Sequence, residues 1–203
     1  MNQVELTVDQ PRSEYLSASE VVDCEAENIQ QLAASLSKNS GSSIGLAQTV
    51  YEYVRDRISH SFDIDSNQVT CNASDVLKYG EGICFAKSHL LAAILRCLEI
   101  PTGFCYQKLV LDDSDHSLLT LHGLNAIYLE SLHRWIRVDA RGNKGGVQAE
   151  FSLEQEKLAF PIRANLGEVD YPWIYAEPNA KVLRALNRSQ SREALIRNLP
   201  DEL

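Results

Sequence analysis

Along the chain, apolar positions first follow helical spacing and then take on a β character. Over Ala26 to Leu36, Ile29, Leu32, Ala33 and Leu36 share one face, and over about Ile44 to Ile58 so do Ala47, Val50, Tyr51, Val54 and Ile58. A third helix is predicted from Cys84, with Leu91, Leu95 and Leu98 on one side and Leu90 and Ile94 beside them. Pro101 stops it, because proline disfavours helical geometry in the residue before it. Asn39 to Ser43 reads as a turn, and Ala73 to Tyr79 as a short helix capped by Asn72 or Ser74.

After Pro101 the predicted elements are strands: Phe104 to Leu111, Leu121 to Leu129 and Arg134 to Asp139. The acidic run Asp112-Asp113-Ser114-Asp115 reads as a solvated turn and Glu130 to His133 as a short one. Val4, Leu6 and Val8 alternate in an N-terminal arm that ends in a loop at Pro11. His60 to Thr70 is a polar loop, Ser152 to Leu158 suggests a short helix, and Tyr171 to Tyr175 an aromatic segment packed on the core. Pro178 to Leu186 is a last helix, and the charged end from Asn187 is expected to be mobile. One domain is expected over 1–203, with its core at about 20–176 and a C-terminal helix and tail at about 177–203.

Composition narrows the function. A 203-residue chain with 44% apolar and 23% charged residues is ordinary for a soluble globular protein. Its net charge of -9 is spread along the sequence, which argues against nucleic acid or an anionic membrane as partner. The first six residues carry no secretory pattern and no stretch approaches the roughly 20 apolar residues of a membrane span, so a cytoplasmic location is expected. Five cysteines form no CxxC pair and five histidines are dispersed without zinc-type spacing, so neither a disulfide scaffold nor a metal or other cofactor is expected. The glycine-rich loop Arg141 to Gly146 lacks the GK[ST] ending of a phosphate loop and reads as a turn.

The chemistry centres on Gly80-Glu81-Gly82-Ile83-Cys84-Phe85-Ala86-Lys87. A thiol in the first turn of a helix sits beside unpaired backbone N–H groups and the positive end of the macrodipole, and both favour thiolate. A cysteine nucleophile needs an imidazole to handle its proton, and the imidazole needs a carboxylate to fix its tautomer. If Leu129 opposes Arg134 in the second hairpin, Tyr128 opposes Trp135 as an aromatic pair and Leu124 opposes Asp139. His122, on the face of Leu124, is then diagonal to Asp139, roughly 7–8 Å away at the backbone. A one-residue slip would separate them. Singly, Cys84 reads as a small core residue, His122 as a structural histidine and Asp139 as a strand-end turn residue. Their joint placement favours nucleophile, base and orienting carboxylate. The Cys84 N–H is one candidate donor to an oxyanion, and Asn67, Gln68 and His60 are open candidates for the second.

Gly82-Ile83-Cys84-Phe85-Ala86-Lys87, the apolar helix Leu90 to Arg96 and the ending Ile100-Pro101 resemble the nucleophile region of the transglutaminase-like superfamily. His122 and the Trp135…Asp139 spacing resemble its next two blocks, and Ala47 to Ile58 the helix before them. The resemblance covers about residues 25–140 and implies an α+β, papain-like fold. In it, N-terminal helices and the cysteine helix pack on an antiparallel sheet carrying the histidine and aspartate. Two positions depart from the pattern: Glu99 stands where glycine is frequent, and Gly123-Leu124 where an alanine and an aromatic are common. The resemblance implies a cofactor-free cysteine enzyme acting on a peptide or protein amide through a thioester. Peptidase or amidase activity is favoured over protein-glutamine transglutaminase or acyl-transferase activity, and the rival is a non-catalytic binding module.

Overall fold

The computed structural model describes residues 4–38, 40–112 and 115–203. An arm with strand β1 (Thr7–Val8) and a 3-10 turn at Arg12–Leu16 leads into helices α1 (Glu27–Ser37) and α2 (Ser43–Arg57). A two-residue strand β2 (Ser59–His60), helix α3 (Ala73–Tyr79) and strand β3 (Glu81–Gly82) deliver the chain to α4 (Cys84–Cys97). Strands β4 (Thr102–Asp112), β5 (Asp115–Leu129) and β6 (Arg134–Val138) follow, then β7 (Val169–Asp170), β8 (Trp173–Ile174) and helices α5 (Ala180–Arg188) and α6 (Arg192–Asn198). The main sheet runs β6-β5-β4-β7, all antiparallel, with α4 against β5 and β4 and the other N-terminal helices around α4. This is the anticipated α+β architecture.

Helix α4 is the centre of the molecule. Every residue from Phe85 to Arg96 is buried, so the expected apolar stripe is in fact a helix enclosed on all sides. Its buried His89 and Arg96 find backbone partners: His89 Nδ1 lies 2.8 Å from the Cys71 carbonyl, and Arg96 donates to Thr102, Ser17 and Ala176. The helix stops before Pro101 through a left-handed residue. Glu99 has φ 59°, its N–H donates to the Arg96 carbonyl, and the Ile100 N–H donates to that of Leu95. That is a Schellman ending with glutamate in the place glycine favours.

The hairpin register is the expected one: Leu129 pairs with Arg134 and Tyr128 with Trp135, whose rings meet edge to face at 5.4 Å. Strand β6 follows β5 only as far as Asn125 opposite Val138. The β5 edge beyond is met at Leu121 by the Pro200 carbonyl, at 2.7 Å from the Leu121 N–H.

Three expectations differ. Asp23 Oδ1, rather than Asn72 or Ser74, caps α3 by accepting from the Ser74 N–H at 3.0 Å. Ser152 to Leu158 forms no helix, because its groups are engaged by β6: Arg137 holds Glu156 and Arg134 donates to the Leu153 carbonyl. The charged end past Asn187 folds as α6, with Leu195 buried beneath it and the Pro200 carbonyl taken by Leu121 and Thr120. Asn39 of the predicted turn, and Asp113 and Ser114 of the acidic run, lie outside the described residues.

Candidate active site

Cys84 is the first residue of α4, and Ile83 before it provides no side-chain cap, so the first-turn N–H groups are left for another acceptor. The approach to it is tightly packed. Gly82 pairs with His60, and a methyl group on Gly82 would lie 3.0 Å from both Ala86 Cβ and Thr70 Oγ1. On the sheet side, a methyl on Gly123 would come within 2.6 Å of Phe85 Cδ1. Glycine at 123 thus lets the helix start sit directly on β5.

His122 lies on β5 and Asp139 just after β6. Nε2 of His122 is 2.8 Å from Asp139 Oδ2, leaving Nδ1 as the nitrogen for a thiol. Asp139 is fully buried, and its carboxylate also accepts from the N–H groups of Arg141 at 3.0 Å and Ala159 at 3.2 Å. Burial alone would raise its pKa, but the charge and hydrogen bond of His122 and those two N–H groups hold it below the usual carboxylate range. Burial would likewise keep His122 neutral. The charges of Asp139 and Cys84, with the hydrogen bond to Asp139, instead push it up to about 10. The Phe160 ring meets the imidazole edge to face at 5.1 Å.

Cys84, partly exposed, and His122 both line a cavity of about 550 Å³. His60 is the only one of the three upstream donor candidates among its lining residues; Asn67 and Gln68 are exposed and absent from them. The His60 ring is kept neutral by burial and by the nearby Arg141 charge, which bring its pKa down to about 3. Its Nδ1 is buried without a partner among the described residues. Among those residues there is no group of three or more His, Cys, Asp or Glu side chains able to hold a metal ion.

Several residues at the site carried no signal in the sequence pattern. Ala159 and Phe160 reach Asp139 and His122 from the segment after the expected but unformed helix. Arg141 and Lys144, in the loop read as a plain turn, bind Asp63 across the cavity rim. Lys87, one turn after Cys84, is fully buried and its ammonium donates to the Ile58 carbonyl at 2.5 Å and that of Arg55 at 3.3 Å. It ties the end of α2 to the start of α4.

Comparison with known proteins agrees with this architecture. No curated protein matches the sequence. Among solved structures, one from Cytophaga hutchinsonii, described as a candidate cysteine protease, is 18% identical with a TM-score of 0.52, covering 68% of this chain and 46% of its own. The periplasmic domain of TgpA from Pseudomonas aeruginosa is 14% identical (TM-score 0.47; 64% of this chain, 46% of its own). Red sea bream transglutaminase is 14% identical (TM-score 0.43; 59% of this chain, 27% of its own). The chain spans less than half the length of each. At these identities the likeness is one of fold. The family model of the transglutaminase-like superfamily matches residues 30–140, more than half of the sequence. The chain belongs to the transglutaminase-like superfamily.

Proposed function

We propose that this protein is a cysteine enzyme that cleaves amide bonds, with Cys84 as nucleophile, His122 as acid and base, and Asp139 as the carboxylate that orients the imidazole. The observation that carries the reading is the 2.8 Å His122–Asp139 hydrogen bond beside a partly exposed cysteine that starts a helix in the same cavity. Cys84 Sγ bonds to the carbonyl carbon while the C=O electron pair moves to oxygen. The tetrahedral species collapses with cleavage of C–N, and the leaving amine takes a proton from His122. Water then attacks the thioester carbonyl, giving its proton to His122, and the C–S bond breaks to restore the thiolate. The Cys84 N–H at the helix start is one donor to the oxyanion. Neutral His60, its proton on Nε2, is the second, chosen over Asn67 and Gln68 because it alone of the three lines the cavity. Hydrolysis is favoured over transfer to an amine by the likeness to the candidate protease.

The test is the pH dependence of Cys84 alkylation by iodoacetamide, read by mass spectrometry beside the other cysteines. Selective reaction below pH 7, lost in His122→Ala, is expected. Reaction of Cys84 only above pH 8, alike in both proteins, would sink the enzyme reading and favour a binding module.

A further inference from the structure

We propose that the ligand of this cavity carries a carboxylate, seated against Lys144 and Arg141, together with an apolar group. The inference deepens the reading of Cys84 as nucleophile by naming the substrate class, and one arm of its test does not need the thiol.

At one place on the cavity wall two cations stand on a single carboxylate. Asp63 is shared by two cations: Arg141 grips both its oxygens at 2.5 and 2.8 Å, and the Lys144 ammonium shares one of them at 2.7 Å. Arg163 is matched by buried Glu168. Among the described residues, Arg141 and Lys144 together thus exceed the one carboxylate they share by one positive charge. Burial would raise the Asp63 pKa, but Arg141 and Lys144 hold it well below the usual range, so it stays charged near neutral pH. In a chain of net charge -9, this Arg141–Asp63–Lys144 cluster is a place where an anion is drawn in.

The two cations differ in freedom. The Arg141 side chain is only 7% exposed and lies over the Phe160 ring at 5.9 Å, so its fork is fixed on Asp63. The Lys144 side chain is 47% exposed and spends one of its three donors on Asp63 among the described residues. It keeps donors for an incoming oxygen. The same cavity is also lined by the apolar side chains of Phe62, Ile83, Leu109, Leu121 and Leu199. Arg141, Lys144, Phe160 and Leu199 all lie after residue 140, outside the stretch matched by the family model.

Iodoacetate and iodoacetamide deliver the same alkyl carbon and differ in a carboxylate against an amide. Their rates at Cys84 should give an iodoacetate-to-iodoacetamide ratio about fivefold above that of glutathione. The ratio should fall towards the glutathione value in Lys144→Gln and in about 0.5 M salt. A ratio at or below that of glutathione, unmoved by Lys144→Gln, overturns the proposal. A second arm titrates Cys84→Ala with dansyl-leucyl-glycine and with dansyl-leucyl-glycinamide, followed by fluorescence. Tighter binding of the acid, lost on adding Lys144→Gln, supports the carboxylate site; equal binding of both, or of neither at millimolar concentration, overturns it. Dansyl-glutamyl-glycinamide separates a side-chain from a terminal carboxylate, and preferential binding of either acid supports the site. If Cys84 resists both alkylating reagents, the nucleophile reading fails while the titration still decides on the carboxylate.

Discussion

His122 and Asp139 stand 17 residues apart in sequence, yet Nε2 of one lies 2.8 Å from Oδ2 of the other, entirely inside the protein. The same carboxylate holds two backbone N–H groups, so it is fixed independently of the histidine. Asp139→Asn keeps the shape but lets the amide present a donor to Nε2 and reverses the tautomer. Acylation of Cys84 by p-nitrophenyl acetate should fall roughly 10²- to 10⁴-fold. A loss under threefold in the stopped-flow burst would remove Asp139 from the mechanism.

His60 is separable from the thiol's own reactivity. Alkylation by iodoacetamide generates no oxyanion, whereas acylation by an ester does. His60→Ala should slow the p-nitrophenyl acetate burst by about 10²-fold and leave the iodoacetamide rate within a factor of about three. Equal losses in both rates would mean that His60 only shapes the start of α4.

Gly123 sits where alanine is common in the superfamily, and here a methyl would meet Phe85 at 2.6 Å. Phe85 is 1% exposed and has nowhere to retreat without moving the helix that begins at Cys84. Gly123→Ala should cost about 1–3 kcal/mol in urea unfolding and slow Cys84 alkylation with it. Wild-type stability in this variant would show that Phe85 can repack.

Glu99 tests the opposite departure. Its φ of 59° is the conformation glycine adopts without a Cβ penalty. Glu99→Gly should raise stability by roughly 0.5–1 kcal/mol and leave alkylation of Cys84 unchanged, read from the urea midpoint. A lower midpoint would mean that the Glu99 side chain contributes more than the backbone strain removes.

What was legible in the chain was what repeats or punctuates. The glycines before Cys84 and Pro101 after it bracketed α4, and Tyr128 opposite Trp135 fixed the register that brings His122 to Asp139. The rest of the cavity has no such mark. Arg141 meets Asp63 across a separation of 78 residues, and Arg137 draws Glu156 out of the helix its neighbours suggested. Those positions are set by long-range ion pairs, which leave no period in the sequence. Lys87 was hidden for a related reason: a lysine three positions after a helix start reads as surface, and only the carbonyls ending α2 explain its burial.

Lys87 and His122 also make opposite demands on pH. Burial, reinforced by the Arg141 charge, lowers the Lys87 pKa to about 7, whereas that of His122 is raised to about 10. Between about pH 6.5 and 10 the folded protein holds a proton on His122 that the unfolded chain has lost, so this group's stabilisation drains away as pH rises. Between about pH 7 and 10.4 the unfolded chain holds a proton on Lys87 that the folded protein has released, so stability rises with pH. Each slope approaches 1.4 kcal/mol per pH unit at most, and over the shared window they offset one another. Urea unfolding across that window should therefore give a steeper fall with pH in Lys87→Met than in wild type, and a rise relative to wild type in His122→Gln. If all three curves run parallel, neither proton is held as described, and the charged state of the imidazole beside Cys84 loses its support.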